Sequence, residues 1–148
     1  MMKKGFTLME LIIVVAIIAI ASVFSFGAFR ANITRATFDD AVSDVIAVFQ
    51  EARGYSIKNV EIDGDINEIY TVSSTSAVVT ISGDISGTIT TYDLSDRVSF
   101  DYDWEVYYEA PYGDFSTSSG SDLEFTITAG DLSQDIIVHK LSGIAEKT

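Results

Sequence analysis

The pattern of apolar and polar positions changes twice along the chain. Leu11 to Phe29 form an uncharged run of nineteen residues, with Glu10 standing just before it. As a helix this run rises about 28 Å, close to the ~30 Å hydrocarbon thickness of a bilayer. From Thr34 the apolar residues recur at Phe38, Ala41, Val42, Val45, Ile46, Val48, Phe49 and Ala52, while Asp39, Asp40, Ser43, Asp44, Gln50 and Glu51 fall between them. That stripe has the 3.6-residue period of an amphipathic helix. The pattern predicts one helix from Phe6 to Arg53, about 70 Å long. Residues 6–29 are apolar all round, and residues 30–57 are the amphipathic continuation. Gly54 is the expected stop and Gly27 a weak point inside the helix.

From about Lys58 the period falls to two, and Val, Ile, Thr, Tyr and Phe dominate. Strands are expected at Asn67–Ser73, Ala77–Ser82, Thr88–Asp93, Val98–Tyr108, Leu123–Ala129 and Asp135–Leu141, with a short one at Val60–Ile62. Turns are expected at Ser74-Thr75, Ser82-Gly83-Asp84 and Ala129-Gly130-Asp131. Val98–Tyr108 is the clearest strand. Val98, Phe100, Tyr102, Trp104, Val106 and Tyr108 would face a core, and Ser99, Asp101, Asp103, Glu105 and Tyr107 the solvent. The stripe of the helix and the apolar faces of the strands each need a partner. The fold class that follows is α+β, with the second half of a long N-terminal helix packed on an antiparallel β-sheet head, residues 58–148. Pro111–Ser121, rich in Ser, Thr and Gly, is the expected mobile loop.

Composition narrows the function. A chain of 148 residues without cysteine excludes disulfides and thiolate metal or redox sites. The lone histidine, His139, leaves little for a histidine-based metal site or a catalytic triad. Formal net charge is −13, and becomes −15 without Lys3 and Lys4. Such a body repels nucleic acid and anionic lipid, and the closing Ser142–Thr148 carries one lysine and one acid rather than a basic tail.

Glu10 is the misfit. A carboxylate at mid-bilayer costs about 2.5–3.5 kcal/mol on insertion scales, so an intramembrane acid marks a functional site by default. A cleaved secretory signal, with Ala19-Ile20-Ala21 as its exit, would not carry a glutamate where its apolar region begins. A plain signal anchor is compatible with the segment, but Lys3 and Lys4 before it and Arg30 and Arg35 after it leave its direction open.

A third reading explains the acid. Lys3-Lys4-Gly5-Phe6-Thr7-Leu8-Met9-Glu10 closely resembles the class III leader junction of type IV pilins and type II secretion pseudopilins. The resemblance implies a leader of residues 1–5, cut after Gly5 by a dedicated prepilin peptidase that also N-methylates Phe6. It implies a retained helix that inserts in the inner membrane, with the head outside the cytoplasm. The helix then packs with other pilin or pseudopilin subunits through an inner-membrane assembly platform. The new Phe6 amine and Glu10 stand four residues apart, a spacing that puts them on one helix face. Within one chain they neutralise each other. Between chains they set axial register, which is the use the family implies. The stretch Glu51–Val60 is similar to the helix end of H-type minor pseudopilins and related minor pilins, although Gly54-Tyr55-Ser56 departs from their pattern.

Other chemistry is thin. Glu61–Glu68 superficially resembles an EF-hand loop start, but counted from Asp63 the sixth position is Glu68 rather than glycine and the twelfth is Ser74. Asp101, Asp103 and Glu105 would share one strand face, about 6–7 Å apart, too far to converge on one ion unaided. No cofactor is expected, and calcium is the one ion these acids could attract. His139 has no acid–nucleophile companions in sequence, so no catalytic residue is assigned and the chain is not expected to be an enzyme. Tyr102, Trp104, Tyr107, Tyr108 and Tyr112 could bind a sugar or a partner, but fit equally as part core and part rim.

Overall fold

The computed structural model describes residues 7–58, 68–94 and 98–148, and for 23–28 the helical backbone alone. The chain forms two compact units, Met1–Ala36 and Thr37–Thr148. The helix α1, Leu8–Lys58, contributes to both.

In the first unit α1 is helical without a break through Gly27. Leu8, Met9, Leu11, Ile12, Ile13, Val14, Val15, Ile17, Ile18 and Ile20 are all exposed. Ten nearly consecutive positions cover the whole circumference of a 3.6-residue helix. Ser22 turns its hydroxyl back onto the Ile18 carbonyl at 2.7 Å, which hides a polar group within the apolar surface.

In the second unit the stripe lies where its period puts it. Phe38, Ala41, Val42, Val45, Val48, Phe49 and Ala52 are buried. The helix passes the expected stop at Gly54 and ends at Lys58. One turn beyond Ala52, Ser56 is still buried and donates to the Arg53 carbonyl at 2.8 Å. Tyr55 stacks on Tyr70 with centroids 6.0 Å apart. Burial of the last turn outweighs the ~1 kcal/mol that an interior glycine costs.

Among the described residues nine strands follow: β1 Ile69–Thr75, β2 Val78–Gly83, β3 Gly87–Asp93, β4 Ser99–Phe100, β5 Glu105–Glu109, β6 Asp114–Thr117, β7 Leu123–Ala129, β8 Leu132–Val138 and β9 Ala145–Lys147. They form two antiparallel sheets, ordered β3-β2-β1-β5-β6 and β4-β7-β8-β9. Phe49 of α1 stacks on Trp104 at 5.2 Å and on Phe125 of β7 at 6.2 Å. Trp104 and Phe125 stack on each other at 4.7 Å. The amphipathic half of the helix is thus packed on antiparallel sheet, as its pattern requires.

The expected strand Val98–Tyr108 is two strands in different sheets. Its alternation survives, with Val98, Trp104, Val106 and Tyr108 buried, but Tyr102 is 46% exposed. Carboxylates take the amides at the corner. Asp101 accepts from the amides of Tyr102 at 3.1 Å and Thr126 at 3.0 Å, and Asp103 accepts from the amide of Ser76 at 3.1 Å. Such Asx-type bonds compete with a continuing ladder.

The loop expected at Pro111–Ser121 contains β6, paired with β5 from Val106↔Thr117 to Glu109↔Asp114. The first hairpin turns at Ser76-Ala77, two residues late, because Ser74 and Thr75 belong to β1. The next turn is at 84–86, after Gly83. Strand β8 starts three residues before the expected Asp135 and ends at Val138, so His139 lies beyond it. Val60–Ile62 falls outside the described residues.

Candidate processing and assembly site

Gly5 and Phe6, the expected cut and methylation positions, lie outside the described residues, as do Lys3 and Lys4. The description begins at Thr7, and Thr7 shows what Glu10 does within a single chain. Glu10 Oε2 accepts from the Thr7 amide at 2.8 Å and from the Thr7 hydroxyl at 2.9 Å. The Glu10 amide donates in return to Thr7 Oγ1 at 3.3 Å. Leu8 is the first helical residue, so Thr7 is the N-cap and Glu10 the third helical position. This is a capping box, in which two orphan amides of the helix start are satisfied reciprocally. Its Thr-x-x-Glu signature is legible in the sequence and went unused there.

The geometry gives Glu10 two compatible tasks. Oε2 is taken by Thr7. Of the two Glu10 oxygens, only Oε2 accepts a hydrogen bond among the described residues. An amine arriving at Oε1, from this chain or another, would not have to break the cap.

A comparison with known proteins bears on this segment. Residues 1–26 match the prokaryotic N-terminal methylation motif. The matched span holds the basic pair, the Gly5–Phe6 junction, Glu10 and most of the uncharged run. It supports a type IV pilin-like subunit, and it implies processing by prepilin peptidase and assembly with other pilins. No curated protein and no solved structure matches the chain. Among the described residues no helix is long and apolar enough to cross a membrane. Within the uncharged run, side chains are described for residues 11–22 and for Phe29.

The other expected site residues are dispersed. Asp101 and Asp103 hold amides at the sheet corner, and Glu105 accepts from the Tyr107 hydroxyl at 2.7 Å. The strand break separates them, so they do not share the face expected of them. Most of Glu61–Glu68 is outside the described residues. Its last member, Glu68, turns inward at 1% exposure. Glu68 accepts from the Ser86 amide at 2.7 Å and hydroxyl at 2.6 Å. Burial pushes the Glu68 carboxyl up, but the Ser86 donors, with Tyr70 and the Ile85 amide, hold it below its ordinary range. Among the described residues no three acidic or histidine side chains gather around one metal position.

His139 stands in the turn after β8, with Glu146 Oε1 at 2.7 Å from Nε2 and Asp122 Oδ2 at 3.7 Å from Nδ1. The hydrogen bond to Glu146 raises its pKa, and the Asp122 charge adds to the shift. The aromatic set divides between core and surface: Trp104 and Tyr108 are buried, whereas Tyr102 and Tyr112 are exposed. One residue the pattern did not flag is Glu51. It accepts from Tyr55 at 2.9 Å and also from Tyr92 of β3, tying the helix to the first sheet. Its hydrogen bond to the Glu51 carboxylate, with burial, pushes the Tyr92 hydroxyl up to about 12.

Proposed function

We propose that the chain is a prepilin-like structural subunit. It is cut after Gly5, methylated on the Phe6 amine and held in the inner membrane by residues 6–29 until its helix is drawn into a type IV pilus or type II secretion filament. The observation that carries this reading is the first half of α1. It pairs a methylation motif with a capped helix whose apolar side chains are exposed on every side. An apolar surface of that extent needs lipid or other helices around it. Lipid meets the need before assembly and neighbouring subunits meet it afterwards.

Phe6 and Glu10 are the assembly residues in this reading. The Phe6 amine made by cleavage pairs with Glu10, within the chain or across to the next subunit. The partners are the prepilin peptidase and methyltransferase, other pilin or pseudopilin subunits and the assembly platform. The role is mechanical, without enzymatic activity, cofactor or nucleic-acid binding. Placement among H-type minor subunits is a narrower proposal that rests on Glu51–Val60 alone.

The rival is a membrane-anchored exported binding domain that never enters a filament. Mass spectrometry of the mature chain separates the two. An N-methylated Phe6 at the N-terminus is expected, and an intact Met1 would exclude the filament subunit. Glu10→Gln should insert and be processed, yet enter filaments poorly. Normal incorporation would remove Glu10 from the assembly role.

A further inference from the structure

In an acidic head, one end is basic and apolar. Arg53 of α1 and Lys140, in the turn between β8 and β9, line a cavity of about 350 Å³ together with Tyr112 and Leu141. Asp114 is the one acid on that lining. Among the described residues neither cation makes an ion pair, and the buried Arg53 Nε has no acceptor. Tyr112 is 79% exposed and Leu141 98%.

The turn that presents Leu141 is braced by hydrogen bonds. The Gly143 amide donates to the His139 carbonyl at 2.7 Å, the Ser142 amide to the same oxygen at 3.1 Å, and the His139 amide to the Ile144 carbonyl at 3.1 Å. Asp122 accepts from the Lys140 amide at 2.8 Å, and Tyr108 donates to the Gly143 carbonyl at 2.6 Å. Gly143 has φ +62°, and a side chain there would strike Tyr108 and Phe115 at 2.6 and 2.9 Å. With the backbone fixed in this way, only the Leu141 side chain has freedom to lose on docking, which is the energetic advantage of a preorganised turn.

The second sheet offers the complement. Asp101, Glu124 and Asp135 rim another cavity of about 350 Å³, in which the half-buried Ile137 offers apolar surface and no residue is basic. The geometry points to a contact between two copies of this chain, in which the Lys140-Leu141 turn of one seats in the Asp101–Glu124–Asp135 cavity of the next. Leu141 meets Ile137, and Lys140 with Arg53 meets the carboxylates. Charge complementarity of this kind fixes partner and register. Because the two surfaces differ, the contact is heterologous and propagates as an open series rather than closing into a dimer. The inference extends the filament reading and rests on it for bringing copies side by side. It needs repeated copies, which a lone tip subunit does not supply.

The chain has no cysteine, so introduced ones report cleanly. Leu141→Cys with Glu124→Cys in the full chain, oxidised in intact cells, should give a ladder of covalent multimers, and each single variant none. Adding Lys140→Glu should cut the ladder about tenfold or more, a change of at least ~1.4 kcal/mol, and Asp135→Lys should restore it. Leu141→Cys with Asp101→Cys serves as a second pair should the first perturb β7. Absence of a ladder from both pairs, dimers from Leu141→Cys alone, or a cross-link to a different protein would each overturn the contact. The Phe6 terminus is read in the same samples. A chain N-methylated at Phe6 without a ladder ends the contact and leaves the filament reading standing, whereas a ladder with an intact Met1 does the reverse.

Discussion

The two halves of α1 are built from similar residues and are stabilised in opposite ways. Residues 38–52 bury Phe, Val and Ala on one stripe, against sheets supplied by the same chain. Residues 8–20 carry more apolar side chains and bury none of them. The first pattern is complete within a monomer. The second is complete only in lipid or among other helices. Apolar content alone does not distinguish a core from an interface, but periodicity does: a stripe implies one partner surface, and an all-round distribution implies surroundings.

Substitution by alanine should separate the halves most sharply. Phe49→Ala removes a fully buried ring stacked on Trp104 and Phe125, and should cost about 3–5 kcal/mol in thermal or urea unfolding of the head. Ile17→Ala, at an exposed position, should leave head unfolding within about 0.5 kcal/mol while reducing incorporation into filaments. A large stability loss from Ile17→Ala would mean the first half has a partner within the chain.

Glu68 tests whether the head relies on polar burial as well. Glu68→Ala leaves the Ser86 amide and hydroxyl without their acceptor and should cost about 1–3 kcal/mol. The sign of the pH effect follows from the lowered carboxyl. Its contribution is present above its ordinary value of 4.5 and lost as pH falls through the depressed folded value. Unfolding followed from pH 7 to 3 should therefore show a shallower acid loss in the variant. Parallel curves would refute the role.

A smaller effect is expected at the helix start. Thr7→Ala removes the cap hydroxyl and should cost about 1 kcal/mol of local helix stability. It would be read as faster amide exchange over residues 8–11 with no change in head unfolding. Smallest of all, Gly54→Ala meets no atom within 4 Å and should stabilise the head by about 0.5–1 kcal/mol. Destabilisation there would show that the second half ends nearer the expected stop than Lys58.

The candidate site was unevenly legible. Glu10 declared itself by being an acid next to an uncharged run. Its cap partner Thr7 was equally visible in Thr-x-x-Glu but was overlooked beside the junction motif. Glu51 and Glu68 were not legible, because a half-buried or buried carboxylate looks like any surface acid until its donors, Tyr92 and Ser86, are brought from other strands. His139 read as part of an apolar strand, since nothing local placed it past the end of β8 between Asp122 and Glu146.

The sequence by itself determined the long helix, its change from all-round to one-sided apolar character, the antiparallel head and the spacing of Gly5, Phe6 and Glu10. These follow from local periodicity and short-range spacing. Only the tertiary structure decided where α1 ends, that Val98–Tyr108 divides between two sheets, that the Ser/Thr-rich loop contains β6, and that Arg53 and Lys140 share one end of the head. Each of those depends on which distant group satisfies an amide or covers a side chain, and contacts of that kind leave no period in the chain.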